Sequence, residues 1–112
     1  MPSRRRQIMT KQIKYQVIVS ERATRMLISH AAFLAQVSEQ AADRLITSFE
    51  KAANSLVFMP QRCSWLIGDY IPRHAYRYFT FEKRYLIIFQ IKDNIVYADY
   101  IVDCRQDYSW LI

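Results

Sequence analysis

The sequence predicts an α+β fold in which a helical hairpin packs on one face of a mostly antiparallel sheet, in the order strand, helix, helix, strand, strand, strand. Three observations predict it. Between positions 21 and 56 apolar residues recur at helical spacing, interrupted once, at Ser38. Beyond Pro60 the chain turns rich in Tyr, Phe, Ile and Val, the residues of pleated sheets. Turn-forming residues then divide that second half into three runs of strand length.

Each element has its own signal. In residues 13–20, Tyr15, Val17 and Val19 alternate with their neighbours and read as a first strand. Ser20 suits a helix N-cap, and Glu21 suits the positive end of the helix it opens. The stripe that follows is Ala23, Met26, Leu27, Ala31, Leu34 and Val37. Ser38 and Glu39 repeat the start signal, and a second stripe runs through Ala42, Leu45, Ile46, Phe49, Ala53 and Leu56. With almost no loop between them, the helices form an antiparallel hairpin. Pro60 ends the helical region. After an irregular stretch, residues 73–81 read as a strand, Glu82 and Lys83 as a turn, and residues 84–91 as a second strand. Lys92, Asp93 and Asn94 make another turn, and residues 95–103 close the sheet.

Composition bounds what such a domain can do. The chain has 112 residues, enough for one domain with a real core, and 52% hydrophobic with 23% charged residues marks it as globular. Residues 1–11 are polar and basic and read as a disordered tail, leaving residues 12–112 as a single domain. Gly68 is the one glycine, which excludes folds built on a glycine-rich phosphate loop. Cys63 and Cys104 form no C-x-x-C pair and have no cluster of histidines near them in sequence, so neither a metal nor another cofactor is expected. No apolar run has the length of a membrane span or follows the N-terminal arginines as in a secretory signal; a cytoplasmic protein with reduced thiols is expected. The net charge of +6 and a pI near 9.5 suit an anionic partner, either nucleic acid or an acidic protein.

Strand parity divides the sheet into two faces. On the middle strand Tyr85, Ile87, Phe89 and Ile91 form the fully apolar set and are assigned to the helices. On the last strand the matching set is Val96, Ala98, Tyr100, Val102 and Cys104. The other face is then open, with Leu86, Ile88 and Gln90 beside Tyr97, Asp99, Ile101 and Asp103. Arg73, Arg77, Phe79 and Phe81 are assigned to the same open side, and Arg105 continues it. Large apolar residues set among arginines mark a partner site. Residues 109–112 can also fold back over part of that face.

The element order, together with two motifs, resembles the RelE/ParE toxins over residues 14–111. One motif is Tyr76-Arg77 followed by the strand Tyr85-Leu86-Ile87-Ile88-Phe89-Gln90-Ile91. The other is Asp103-Cys104-Arg105-Gln106-Asp107-Tyr108, similar to the arginine-then-tyrosine ending of many members. The resemblance implies a growth-arresting toxin of a type II toxin–antitoxin system, neutralised by a cognate antitoxin. That antitoxin is expected on the open face, at Phe79, Leu86, Ile88, Tyr97 and Ile101. The target is either DNA gyrase, inhibited by binding, or mRNA on the ribosome, cleaved by an endoribonuclease.

The two targets place different demands on the residues. Cleavage beside a 2′-hydroxyl needs a base, positive charge on the phosphate and an acid for the leaving oxygen. Arg77, Arg105 and Tyr108 match family positions and are the catalytic residues if the chain is a ribonuclease. Against that, Phe79 and Leu86 stand where RelE-like members place basic residues, and Asp107 stands where one subgroup has histidine. His74 falls on the opposite parity from Arg77, and His30 sits in the first helix. The pattern leans towards gyrase inhibition. A third reading is a decayed toxin that keeps only antitoxin binding.

Overall fold

A computed structural model describes residues 13–105. The elements are β1 (Gln16–Val19), α1 (Glu21–Ala35), α2 (Glu39–Ser55), a 3-10 turn (Pro60–Arg62), β2 (Arg77–Phe81), β3 (Tyr85–Lys92) and β4 (Ile95–Asp103). They follow the expected order. The basic tail, and the residues from Gln106 onward that include Asp107 and Tyr108, lie outside the described residues.

Both helices start where serine can take an unpaired backbone amide. Ser20 Oγ accepts from the Ala23 amide at 2.9 Å, and Ser38 Oγ accepts from the Ala41 amide at 3.1 Å. In α2 the buried positions are Leu45, Phe49 and Ala52, followed by Leu56 at its C-cap. Phe49 meets Phe81 edge to face, with ring centroids 5.7 Å apart, which seats the hairpin on the sheet. The first stripe ends earlier than its spacing suggests. α1 stops at Ala35, and Val37, in the turn before the Ser38 cap, is 86% exposed.

The sheet order is β1-β4-β3-β2. β2, β3 and β4 form antiparallel hairpins, and β1 joins β4 in parallel, so the sheet is mixed but mostly antiparallel. Asp93 has a φ of 57° in the β3–β4 turn, the left-handed geometry that matches the twist of hairpin strands. β2 begins four residues later than expected. His74 takes a φ of 58°, which no strand residue adopts, and residues 73–75 turn instead.

The largest departure is a β-bulge in β4. Ile88 pairs with Tyr100 and Phe89 pairs with Ala98, so Asp99 is left over between them. Beyond Asp99 the parity of β4 inverts. Ile101 therefore lies in the helix-side core with Ile87 and Phe89, whereas Tyr100 and Val102 lie on the other face. α1 stabilises this arrangement. The Ser20 amide donates to Ala98 O at 2.9 Å, Ser20 Oγ donates to Asp99 O at 3.2 Å, and His30 Nε2 donates to Ile101 O at 3.0 Å. β1 ends opposite Ala98, so α1 takes over the edge carbonyls of β4 where β1 stops.

The face opposite the helices is a second core. Leu66, Leu86, Ile88, Tyr100 and Val102 are buried together, with Met26, Ile71, Tyr76 and Tyr78 packed around them. The cover comes from the chain between the 3-10 turn and β2. The Leu66 amide donates to Tyr76 O at 2.7 Å, and the Tyr78 amide donates to Ser64 O at 3.1 Å. Residues 64–66 thus add a short antiparallel strand to the first half of β2.

Candidate functional site

The face assignment made by parity needs correction at several residues. Phe79 belongs to the helix side, packed on the main core with Phe81 and Ile87. Arg77 shares its parity. Ile101 is fully buried in the same core, displaced there by the bulge. Leu86 and Ile88 do lie on the far face, but residues 64–76 cover them, and Ile88 is fully buried. Tyr97 precedes the bulge, keeps its expected parity and is half-buried. Of the five residues expected to meet a partner, Phe79 and Tyr97 keep accessible surface in the isolated chain.

The two arginines of the expected clamp do not converge. Arg77 is registered with Phe89, in the middle of β3. Its Nη1 donates to Gln61 O at 3.0 Å and Cys63 O at 2.7 Å. Its guanidinium carbon lies 3.8 Å from the centroid of Trp65, whose other ring neighbour is His74 at 4.9 Å. Arg77 thus anchors the 61–65 segment to the sheet. Arg105 lies beyond the end of β3 at which Asp103 pairs with Tyr85. Its Nε and Nη2 both close on the Asp103 carboxylate, at 3.1 and 2.7 Å, and its amide donates to Asp103 Oδ1 at 3.0 Å. These hydrogen bonds hold the Asp103 carboxyl below the usual carboxylate range, against the burial that would raise it. Arg105 and Asp103 line a 490 Å³ hollow with Ser29, His30, Phe33 and Tyr85. His30 there contacts Tyr85 edge to face at 5.3 Å, and its Nε2 proton is committed to Ile101 O.

Other titratable groups have structural surroundings. Burial raises the Asp99 carboxyl, with Arg22 and Lys92 opposing it. Burial also raises the Cys63 thiol against Arg62 and Arg77, so this cysteine is a poor nucleophile. Cys63 and Cys104 are both free thiols. Among the described residues no group of three or more His, Cys, Asp or Glu could hold a metal, and no helix is long and apolar enough to cross a membrane.

Sequence reasoning missed three features: His30 as an edge cap, Trp65 as the platform for Arg77, and a notch at the open part of β2. The notch is a shallow hollow of about 460 Å³, open to solvent and lined by Arg62, Cys63, Ser64, Tyr78, Phe79 and Thr80. Its one signal in the sequence is Arg62 just after Pro60. Large apolar side chains exposed elsewhere include Ile28 and Phe33 on α1 and Ile67 and Tyr70 in the segment over the second core.

Comparison with known proteins places these observations in a family. Residues 17–108 match the family described as ParE toxin of type II toxin–antitoxin system, parDE. Among solved structures, the chain is similar to one described as the chromosomal ParDE TA system from P. aeruginosa. The two are 12% identical, with a TM-score of 0.63 over 80% of this chain and 96% of that one. No curated protein matches.

Proposed function

The chain belongs to the ParE toxin family of type II toxin–antitoxin systems, and on that footing we propose that it arrests growth by binding DNA gyrase in the cytoplasm. A cognate antitoxin holds it inactive. The observation that carries this reading is the separation of Arg77 from Arg105. A ribonuclease needs charge, base and acid around one scissile phosphate. Here Arg77 spends Nη1 on two carbonyls, Arg105 spends the Nε–Nη2 edge of its fork on Asp103, and β3 lies between them. Leu86, where RelE-like members carry a basic residue, is 6% exposed in an apolar cluster. Among the described residues the candidate groups do not converge on one point, which suits a toxin that acts by its binding surface. For the antitoxin, Phe79 and Tyr97 remain the accessible members of the expected contact set.

The test uses purified components. The chain is added to DNA gyrase with relaxed plasmid, and separately to ribosomes programmed with mRNA. Loss of supercoiling with protein-linked DNA breaks, and intact mRNA, is the expected result. Codon-spaced mRNA cuts with undisturbed supercoiling would overturn it and give Arg77, Arg105 and Tyr108 catalytic roles. Inertness in both assays would point to a decayed toxin.

A further inference from the structure

One end of the sheet gathers basic side chains from separate parts of the sequence. β1 begins at Gln16 beside Ile95, the first residue of β4, and Lys92 at the end of β3 pairs with Ile95 from the other side. Lys14 stands just before β1, its ammonium 5.8 Å from the centre of the exposed Phe58 ring. The approach to β2 reaches the same end, since His74 and Ala75 line a 250 Å³ hollow with Gln90 and Ile91 of β3. Arg73, next to His74, is exposed. Gln61 joins the two sides. Its side chain donates to the Tyr15 hydroxyl, and its carbonyl accepts from Arg77 Nη1 at 3.0 Å.

The charge of this end is little opposed. Asp93 in the β3–β4 turn and Asp69, which lines a hollow with Arg73, lie nearby. Among the described residues, however, none of Lys14, Arg73, Arg77 and Lys92 is ion-paired, unlike Arg25, Arg44 and Arg105, which have Glu21, Glu82 and Asp103. The sequence adds to them. Arg4, Arg5, Arg6 and Lys11 precede Lys14, and no acidic residue comes before Glu21. From β1 to β2 is three strand spacings, about 14 Å at roughly 4.8 Å each. A duplex carries one phosphate charge per roughly 1.7 Å of its axis, so about eight charges lie along that length.

We propose that this end of the sheet is a sequence-independent binding surface for duplex DNA. Lys14, Arg73 and Lys92 contact phosphates, and so do the arginines that precede Lys14 in the chain. Arg77 is a positioning residue. It holds the Gln61 carbonyl and the Trp65 ring, on which His74 packs at 4.9 Å, and so fixes the approach that carries Arg73. The arginine run favours phosphate, which a guanidinium fork meets with two parallel hydrogen bonds. Ile13, Phe58 and Met59 are exposed at the same end. Three apolar side chains bury too little area to hold a chain on a bilayer, which sets DNA above a lipid surface. The inference goes beyond the proposed binding of gyrase and does not depend on it.

The probe is a fluorescent mixed-sequence duplex of about three helical turns, titrated with the full chain while its anisotropy is followed between about 50 and 200 mM salt. Each phosphate contact contributes about −0.9 to the slope of log K against log salt, so Lys14, Arg73 and Arg4 to Arg6 together give about −4.5 or steeper. Lys14→Gln and Arg73→Gln each weaken binding alike on unrelated sequences and flatten the slope by about 1. Replacing Arg4, Arg5 and Arg6 together by Gln flattens it by about 3. Lys83→Gln, in the turn at the other end of the sheet, leaves affinity and slope unchanged. Lys14, Arg73 and Lys83 are all exposed, and unchanged melting temperatures verify that the variants fold. A slope shallower than about −1, or the same loss from Lys83→Gln as from Lys14→Gln, would overturn the proposal. So would a preference for polyglutamate, or for phosphatidylglycerol vesicles, over the duplex at equal charge. Gyrase and ribosomes are absent from this assay, so its failure leaves the function proposed above untouched, and the two readings fail separately.

Discussion

Arg77 and the Asp103 partner of Arg105 are registered four residues apart along β3. Arg77 is registered with Phe89, and Asp103, the partner of Arg105, with Tyr85. Four strand residues at roughly 3.3 Å each put the two registers about 13 Å apart. Over that span each side chain turns to its own partners, Arg77 to two carbonyls and Arg105 to a carboxylate. Both arginines make structural contacts in this fold, and their substitution should show it.

Arg77→Ala should lower stability by about 1–3 kcal/mol, because Gln61 O and Cys63 O lose a charged donor. Urea unfolding measures this. Toxicity of the folded variant should persist. Lost toxicity at undiminished stability would instead mark Arg77 as part of an active site.

Acid stability should expose the Asp103–Arg105 pair. The folded-state pKa of Asp103 is depressed, so its contribution is present above the ordinary Asp value of about 3.9 and is lost as pH falls through the lower folded value. In Arg105→Ala the carboxyl keeps its burial, the backbone amide donor and the nearby Arg84 charge but loses the side-chain donors that depress its pKa most. Its folded pKa then moves up from the wild-type value, and the stability lost from this group on acidification shrinks. Denaturant midpoints measured from pH 7 down to pH 3 separate the two slopes. Parallel curves for wild type and variant would rule the pair out as the source of the acid dependence.

Ile101→Ala and Ile88→Ala should each cost about 2–5 kcal/mol, since both side chains are fully buried, one in each core. Surface-like costs below 1 kcal/mol at Ile101 would mean that the inversion of parity at Asp99 is wrong. Phe49→Ala should cost about 3–5 kcal/mol through lost contact with Phe81.

Residues on the outward side of the helical hairpin should separate toxicity from folding. Glu39 and Lys51 are exposed. Charge reversal at Lys51, and Glu39→Gln at the helix start, should leave the melting temperature within about a few degrees while reducing toxicity, if this surface meets gyrase. Unchanged toxicity across both would remove the hairpin from the contact.

The strength of local signals decided what the sequence could reveal. Ser20 and Ser38 cap the helices as expected, and the turns at Glu82-Lys83 and Asp93-Asn94 fall where their residues suggest. The faces of β3 also came out as read, because its alternation is uninterrupted. The faces of β4 could not. Asp99 sits in an alternating run, and nothing in its residue type announces that Ser20 will take its carbonyl and let the strand bulge. The cover over Leu86 and Ile88 was hidden for a related reason. Leu66, Ile71 and Tyr76 have no periodicity, and what holds them is a pair of backbone hydrogen bonds to β2 and its approach. The expected open site dissolved with it, since an alternating apolar strand reads the same whether its second face meets solvent or a loop.

The measurement closest to the central claim follows translation and DNA integrity together in cells after the chain is induced. Labelled methionine uptake should continue at first while DNA breaks accumulate and cells filament. Immediate arrest of uptake, with codon-spaced mRNA cuts and intact DNA, would contradict the account.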